Sequence, residues 1–235
     1  MIPKIIHYCW FGGNPLPNEA KKCIESWKRL CPDFEIKEWN EENFDISANS
    51  FAYAAYTEKK WAFVSDYARL KIIYENGGIY LDVDVRMLKS FNELLEYPAF
   101  FGMEQSHYIN TGLGFGAEAR NSIVGKLLSL YESEVFDSNK INQLACPLLN
   151  DKVFAEWGYL KEEKVQSFSE GVIFPPRYFD PIAPGSDKDL TCKDTFSIHL
   201  YNASWSTNRF RLKLIFRKLL GPTRLVKLKN MIKRK

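Results

Sequence analysis

Two carboxylates stand one residue apart inside an apolar segment of the chain. Residues 77–86 read GGIYLDVDVR, in which Asp82 and Asp84 are the acidic residues. Because side chains alternate between the two faces of a strand, a strand here places both carboxylates on one face, with Cα atoms about 6.5–7 Å apart. Two buried charges without a partner are costly, and a hard divalent cation with oxygen ligands removes that cost. The alternative is the solvated face of an edge strand.

A second charged pair precedes the two aspartates. Asp66 and Arg69 lie three residues apart in SDYARL, and this spacing puts both side chains on one face of a helix. The predicted helix, WAFVSDYARLKIIYEN, is apolar on several sides, so we expect the pair to face inwards and to have a functional role. The alternative is an ordinary ion pair at the surface. Gly77 and Gly78 follow, and glycine readily adopts the left-handed conformation that ends a helix.

The order of the predicted elements indicates an α/β protein. The chain opens with a strand in PKIIHYCWFG, a helix capped by Asn18 that continues to about Leu30, and a second strand in FEIKEW. A β-α-β opening is typical of a parallel sheet. His7, in the first strand, is expected to be a hydrogen-bonded core histidine. The later predictions are a helix over 50–76, a strand in IYLDVDV, strands in AFFGMEQ and YINTGLGFGAE, a helix from Asn121 to about Glu134, a helix over 139–157, mostly loop over 171–191, and a strand in FSIHLY.

Length and composition are those of one globular domain with a small appendage. The 235 residues are 46% hydrophobic and 15% aromatic, which argues against disorder over most of the chain. The five cysteines are odd in number and form no CxxC pair, so we expect reduced thiols in a cytoplasmic protein, with no disulfide framework or zinc site. No apolar run approaches the roughly 20 residues that span a bilayer, and no signal peptide is predicted.

The charge of the chain is unevenly distributed. The net charge is +3, yet 209–235 holds eleven basic residues and no acidic one, which leaves an acidic body. From about Asn208 the sequence predicts a basic amphipathic helix that is broken at Gly221-Pro222. This helix is expected to contact the anionic inner face of the membrane. The alternative is a helix packed on the domain. Nucleic-acid binding is not expected, because the body is acidic and no recognition motif is present.

The two charged pairs belong to one longer pattern. SDYARLKIIYENGGIYLDVD, residues 65–84, resembles the DxD sugar-binding region of glycosyltransferase family 32 and its relatives. These include bacterial capsular-polysaccharide glycosyltransferases, the yeast initiating α-1,6-mannosyltransferase and the catalytic domains of clostridial glucosylating toxins. IPKIIHYCWFGG is similar to the first strand of that family, and HLYNASW, residues 199–205, looks like its closing element. The resemblance covers about 1–207, so 208–235 is expected to be a separate tail.

The resemblance implies a fold and an activity. The fold is GT-A, a Rossmann-like mixed sheet flanked by helices. The activity is retaining transfer of a sugar from a nucleotide sugar, with a UDP-sugar favoured over a GDP-sugar and with Mn²⁺ or Mg²⁺ as cofactor. The acceptor is a glycan or lipid-linked oligosaccharide in surface or capsular polysaccharide synthesis.

The resemblance also implies which residues bind the donor. Trp10 stacks on the nucleobase, and an aromatic side chain after a strand does offer a base its π face. Asp66 and Arg69 hold the donor sugar and diphosphate, and the planar guanidinium suits phosphate. Ser204 and Trp205 lie against the diphosphate, although a tryptophan alone would be expected in the core.

A metal group is implied by the same resemblance. Asp82 contacts the ribose or sugar and also belongs to the metal group, Asp84 is the direct metal ligand, and His199 is a further ligand. Taken alone, His199 would more often be structural than a metal ligand, and the motif around it makes the two roles equally expected. Asp66, Arg69, Asp82 and Asp84 are therefore the candidate catalytic residues.

Further candidates surround the expected cleft. Asn110 and Thr111 precede a glycine-rich segment that related families place beside the donor sugar. Glu104 is expected to face the cleft, and the loop PPRYFDP brings Tyr178 and Asp180 near the acceptor, with simple turn formation as the alternative. No residue stands out as a nucleophile, which favours front-side substitution.

Two other functions compete with glycosyl transfer. IYLDVDV superficially resembles the nucleophile strand of haloacid-dehalogenase-type phosphatases, but the acidic motif that those enzymes need later in the chain is matched poorly by GSDKDL. A non-catalytic sugar- or nucleotide-binding protein on a transferase fold is the second alternative.

Overall fold

A computed structural model describes residues 1–201 of the chain. The predictions for Ser204, Trp205 and the tail 208–235 lie outside the described residues. Within 1–201, no helix has both the length and the apolar character needed to cross a membrane.

Most strands belong to one sheet, and two form a separate ribbon. The seven-stranded sheet has the order β2-β1-β3-β6-β5-β8-β7, and β4 pairs with β9 in a two-stranded sheet. The strands are β1 (Ile5–Cys9), β2 (Glu35–Trp39), β3 (Gly78–Tyr80), β4 (Val85–Met87), β5 (Ala99–Gly102), β6 (Phe115–Ala117), β7 (Gln166–Phe168), β8 (Gly171–Phe174) and β9 (Ser197–His199).

Strand direction decides which loops meet at one edge of the large sheet. β1 is parallel to both β2 and β3, as the β-α-β opening predicts, and β8 is parallel to β5. β6 runs antiparallel to its neighbours β3 and β5, and β7 runs antiparallel to β8. The segments that follow β1, β3 and β5 and the segment that precedes β6 therefore share one edge. In α/β sheets, ligands bind outside the carboxyl ends of the parallel strands.

Helices and apolar side chains form a core on each face of the sheet. The helices are α1 (Asn18–Leu30), α2 (Ser50–Thr57), α3 (Trp61–Asn76), α4 (Ser122–Ser133) and α5 (Cys146–Glu156). The first core packs α2, α3, α4 and α5 on the sheet. The second packs α1 with β4, and its fully buried Trp27 donates a hydrogen bond from Nε1 to Val85 O at 2.8 Å. This bond ties α1 to the strand that follows the two aspartates.

Local signals predict some boundaries correctly. Asn121 caps α4 by accepting hydrogen bonds from the backbone N–H of Ile123 and Val124, which confirms that prediction. The predicted cap at Asn18 is wrong, because α1 begins at Asn18 itself and no side chain caps it. The helix predicted over 50–76 is two helices, since Lys59 adopts φ of +56° between them.

Other boundaries depend on tertiary contacts. The loop predicted over 171–191 begins instead with β8, an apolar strand that hydrogen bonds to β5 and β7. Of the helix predicted over 139–157, only α5 forms, after a 3₁₀ turn at Ser138–Lys140. In YINTGLGFGAE only Phe115–Ala117 is a strand, and residues 110–114 are a loop.

Candidate active site

The two aspartates lie in a turn, not in a strand. β3 ends at Tyr80, and Val85 N donates to Asp82 O at 2.9 Å to close the turn. The prediction of one strand through IYLDVDV, with alternate residues on opposite faces, is therefore wrong. The chain changes direction here because β4 leaves the large sheet to pair with β9. The turn nevertheless brings both carboxylates to the carboxyl end of β3.

His199 reaches the turn from the far end of the described chain. In the antiparallel β4–β9 pair His199 is opposite Val85, and Leu200 N donates to Asp84 O at 3.0 Å. His199 Nε2 is 2.9 Å from Asp84 Oδ1 and 4.0 Å from Asp82 Oδ2. One ligand atom from each of the three residues lies within 4.8 Å of the others. We call these three residues the metal group.

Arg69 and Asp66 adjoin the metal group from α3. The Arg69 guanidinium contacts Asp66 through Nη2 and lies 3.4 Å from Asp82 Oδ1 through Nη1. Both partners are buried, with side-chain exposures of 3% for Arg69 and 11% for Asp66, so the expected inward orientation is confirmed. Tyr80 OH donates to Asp82 Oδ1 at 2.9 Å. Arg69 Nε is buried and has no hydrogen-bond acceptor among residues 1–201.

The two carboxylates of the metal group raise the pKa of His199. Burial acts to lower the pKa of His199, but Asp84 and Asp82 outweigh it and raise that pKa to about 9. Burial raises the pKa of Asp82, and the Arg69 guanidinium opposes this shift. Two carboxylates and an imidazole fit Mn²⁺ well, because Mn²⁺ accepts a nitrogen ligand more readily than Mg²⁺ does.

The loop between β5 and β6 covers one side of Asp82. Asn110 Nδ2 donates to Glu104 Oε1 at 2.6 Å, and Gly112 N donates to Asn110 Oδ1 at 2.7 Å. A Cβ atom at Gly112 would lie 2.5 Å from Asp82 Oδ2 and 3.1 Å from Arg69 Nη1. Gly112 thus allows the loop to approach the metal group closely.

Thr111 occupies a different environment from Asn110. Its side chain is 1% exposed, and its hydroxyl lies 3.1 Å from Cys146 Sγ at the start of α5. The structure therefore brings Asn110 to the cleft and packs Thr111 into the protein. For Thr111 to lie beside the donor sugar, as expected, the loop between β5 and β6 would have to move from its position in this structure.

Asp180 is a buried carboxylate near the metal group. It accepts hydrogen bonds from Gln105 N and from Tyr201 OH, each at 2.9 Å. Burial raises its pKa to about 6, although both hydrogen bonds act to lower it. Tyr178, in the same loop, packs its ring on Phe174 and Phe196 and so lies against the second core.

A groove at the carboxyl ends of β1 and β2 contains Trp10. This side chain is half-buried, and its Nε1 donates to Asn14 O. The groove is also lined by Glu38, Asn40, Tyr56 and Trp61. Cys9, the residue before Trp10, is buried in the core at the end of β1, so the indole follows directly from the sheet edge that carries Asp82.

Sequence reasoning missed three residues of this site. They are Gly112, Gln105 and Tyr201, and each contacts a partner that is distant in the chain. Only Gly112 had a local signal, the glycine-rich composition of NTGLGFG.

The fold is the GT-A fold seen in glycosyltransferases. Two solved structures share the fold. The PaToxG glycosyltransferase has a TM-score of 0.55 at 20% identity, over 66% of this chain and 69% of that one. A glycosyltransferase involved in the glycosylation of the major capsid of PBCV-1 has a TM-score of 0.50 at 14% identity, over 92% of this chain and all of that one.

The sequence comparisons find similarity to glycosyltransferases. Residues 17–101 match the model of the glycosyltransferase sugar-binding region containing the DXD motif. An uncharacterized glycosyltransferase of Acanthamoeba polyphaga mimivirus is 26% identical over 92% of this chain and 88% of its own length. Inositol phosphoceramide mannosyltransferase 3 of Schizosaccharomyces pombe is 34% identical over 42% of this chain but only 29% of its own length.

Proposed function

We propose that this protein is a retaining, metal-dependent glycosyltransferase that uses a nucleotide sugar, with a UDP-sugar as the expected donor. The acceptor is a glycan or a lipid-linked oligosaccharide of a surface or capsular polysaccharide. The observation that carries this proposal is the metal group, Asp82, Asp84 and His199, held beside the buried guanidinium of Arg69. Such a combination suits a diphosphate, which needs positive charge on several oxygens at once.

Donor binding follows from the position of each residue at the sheet edge. Trp10 stacks on the base in its groove, and the Arg69 guanidinium supplies positive charge to the diphosphate. Mn²⁺, or Mg²⁺, held by the metal group would neutralise charge that develops on the departing nucleoside diphosphate. Asp66 keeps Arg69 oriented through the buried ion pair. Ser204 and Trp205 are proposed to complete the diphosphate site.

The donor sugar lies between the metal group and the β5–β6 loop. Asn110 and Glu104 form a hydrogen-bonded pair at the cleft, and both residue types bind sugar hydroxyls. Thr111 would join them if the loop turned outwards. In the proposed front-side reaction, the acceptor oxygen bonds to the anomeric carbon on the face that the diphosphate leaves. The bond between the anomeric carbon and the diphosphate oxygen breaks on that same face, so the anomeric configuration is retained. The acceptor proton passes to the departing phosphate oxygen.

Transfer is tested by nucleotide release. A panel of UDP- and GDP-sugars is incubated with wild-type protein in Mn²⁺ or EDTA, and with Asp84→Ala and Asp33→Ala. Asp33 is an exposed carboxylate paired with Lys4 and is the matched control. We expect release from one donor, lost in EDTA and in Asp84→Ala and kept in Asp33→Ala. Binding of UDP with Mn²⁺ by calorimetry, without release from any donor, would support the non-catalytic alternative.

Stereochemistry is tested on the product itself. The anomeric configuration of the transferred sugar is read by NMR and compared with that of the donor. Retention supports the front-side reaction, whereas inversion, or a trapped covalent sugar–enzyme adduct, contradicts it.

The two predicted parts of the chain have separate roles in this proposal. Residues 1–207 carry out transfer, and the basic tail 208–235 holds the enzyme on the inner face of the membrane, near a lipid-linked acceptor. One relative is named for a phosphoceramide acceptor, which supports an acceptor that carries lipid. Co-sedimentation with anionic liposomes compares the full chain with a chain that ends at Thr207. Equal binding would rule out the membrane role of the tail.

A further inference from the structure

Tyr201 contacts two groups that lie on opposite sides of it. Its ring lies against the imidazole of His199, with centroids 4.1 Å apart and planes inclined by 54°. Its hydroxyl donates to Asp180 Oδ1 at 2.9 Å. The position of the ring is therefore set by the carboxylate, and the ring in turn restricts the imidazole.

Asp180 is itself fixed in place. Its side chain is 1% exposed, and its second oxygen accepts from Gln105 N at 2.9 Å. Gln105 Nε2 also donates to the carbonyls of Asp180 and Pro181, at 3.2 and 2.9 Å. A carboxylate held by several donors moves little, so it provides a rigid anchor for the tyrosine.

The backbone of Tyr201 supports a specific role. Its φ is +48°, in the left-handed region that residues other than glycine, asparagine and aspartate rarely adopt. Such a conformation persists where the surroundings impose it. Here the β4–β9 pair fixes His199, and Leu200 N donates to Asp84 O, immediately before the unusual residue. The left-handed turn brings the ring of Tyr201 back onto the imidazole two residues earlier.

The same contacts connect both sides of the cleft. Gln105 follows Glu104, which accepts from Asn110, and Asn110 accepts from Gly112 beside Asp82. The loop between β5 and β6 is thus linked to Asp82 at one end and, through Asp180 and Tyr201, to His199 at the other.

We propose that Tyr201, anchored by Asp180, is a positioning residue that holds the His199 imidazole in the geometry needed for metal binding. This inference rests on the proposed function, because it assigns a metal to the group formed by Asp82, Asp84 and His199. Groups that orient a metal ligand typically change metal affinity by 10- to 100-fold when they are removed.

The test measures Mn²⁺ binding directly by electron paramagnetic resonance of the free ion. Tyr201→Phe removes the hydroxyl and keeps the ring. Tyr159→Phe is the matched control, because it removes a part-buried hydroxyl that donates to His107 O at 2.8 Å and contacts no member of the metal group. We expect the dissociation constant for Mn²⁺ to rise about tenfold in Tyr201→Phe and to stay constant in Tyr159→Phe. Asp180→Asn is a second test of the same anchor. Its amide group presents an N–H donor to either Tyr201 or Gln105, where the carboxylate accepts from both.

A double-mutant cycle separates positioning from a general structural effect. In a His199→Ala background, Tyr201→Phe is expected to have no further effect on Mn²⁺ binding, because the side chain through which it acts is missing. An equal loss in both backgrounds, or equal binding by wild type and Tyr201→Phe, overturns the inference and leaves the proposed function intact. A wild-type protein that binds no Mn²⁺ overturns the inference, and the nucleotide-release assay then decides the proposed function on its own.

Discussion

Replacing Gly112 by alanine tests how closely the β5–β6 loop must approach the metal group. The new Cβ would lie 2.5 Å from Asp82 Oδ2, 3.0 Å from Asn110 Oδ1 and 3.1 Å from Arg69 Nη1. Ordinary contact begins near 3.4 Å, so the carboxylate oxygen or the loop must retreat by about 0.9 Å. Gly112 does not have a positive φ, so alanine strains the packing and not the backbone.

A displacement of this size is large for a catalytic group. Misplacement by about 1 Å costs on the order of 100-fold in rate, or about 2.7 kcal/mol of transition-state stabilisation. We therefore expect Gly112→Ala to lower kcat/KM for the active donor by about 100-fold. Mn²⁺ binding should also weaken, since Asp82 belongs to the metal group.

The assay combines turnover, Mn²⁺ binding and thermal unfolding. Gly125→Ala is the control, because Gly125 lies in α4 and its Cβ would meet only the edge of the Tyr74 ring, at 3.0 Å. A Gly112→Ala enzyme with wild-type kcat/KM and wild-type Mn²⁺ affinity would refute the reasoning. A large loss of thermal stability alone, with normal turnover of the folded fraction, would do the same.

Three further predictions concern acid stability, base binding and the buried ion pair. Burial lowers the pKa of His7 to about 4. The free energy of unfolding, measured with urea, should therefore be highest above pH 6.5 and fall by about 3 kcal/mol towards pH 4. The His7→Gln variant should lack this fall. Trp10→Ala should weaken nucleotide binding by about 1–3 kcal/mol in calorimetry, and Trp10→Phe by less; equal affinities would place the base elsewhere. Asp66→Ala should destabilise the fold by about 3–5 kcal/mol in urea unfolding, because it leaves Arg69 buried with a weaker partner. An unchanged unfolding midpoint would contradict this.

The acid prediction depends on the hydrogen bonds of His7. Nδ1 accepts from Trp39 Nε1 at 3.0 Å, and Nε2 lies 3.1 Å from Gly77 O, to which it donates. A second proton on Nδ1 would face the indole N–H, and Lys37 on the neighbouring strand adds a further positive charge. This arrangement confirms that His7 is a hydrogen-bonded core histidine.

The fold could be predicted where the signal is local. The opening β-α-β unit, the cap at Asn121 and the strand in FSIHLY follow from periodicity and capping, and the structure confirms each. The strand β8 could not be recognised in this way. Its four apolar residues lie in a segment rich in proline, glycine and aspartate, and their strand conformation comes from pairing with β5 and β7.

The site residues also divide into those that a local pattern predicts and those that depend on distant contacts. The spacing of Asp66 and Arg69 predicts their shared inward face, because both lie in one helix. The convergence of Asp82 and Asp84 was expected for the wrong reason, since a turn brings them together and not an alternating strand. The partnership of Gln105 with Asp180 joins residues 75 positions apart, and no local pattern contains that contact.

The β4–β9 ribbon also sets a time order on the ribosome. Asp84 and His199 are 115 residues apart in the chain. At about 5–20 residues per second, roughly 6 to 23 s separate their synthesis. During that interval the nascent polypeptide carries both carboxylates but not the imidazole, and β4 has no partner strand. The last strand to be translated within the described residues therefore completes the candidate cation site formed by Asp82, Asp84 and His199.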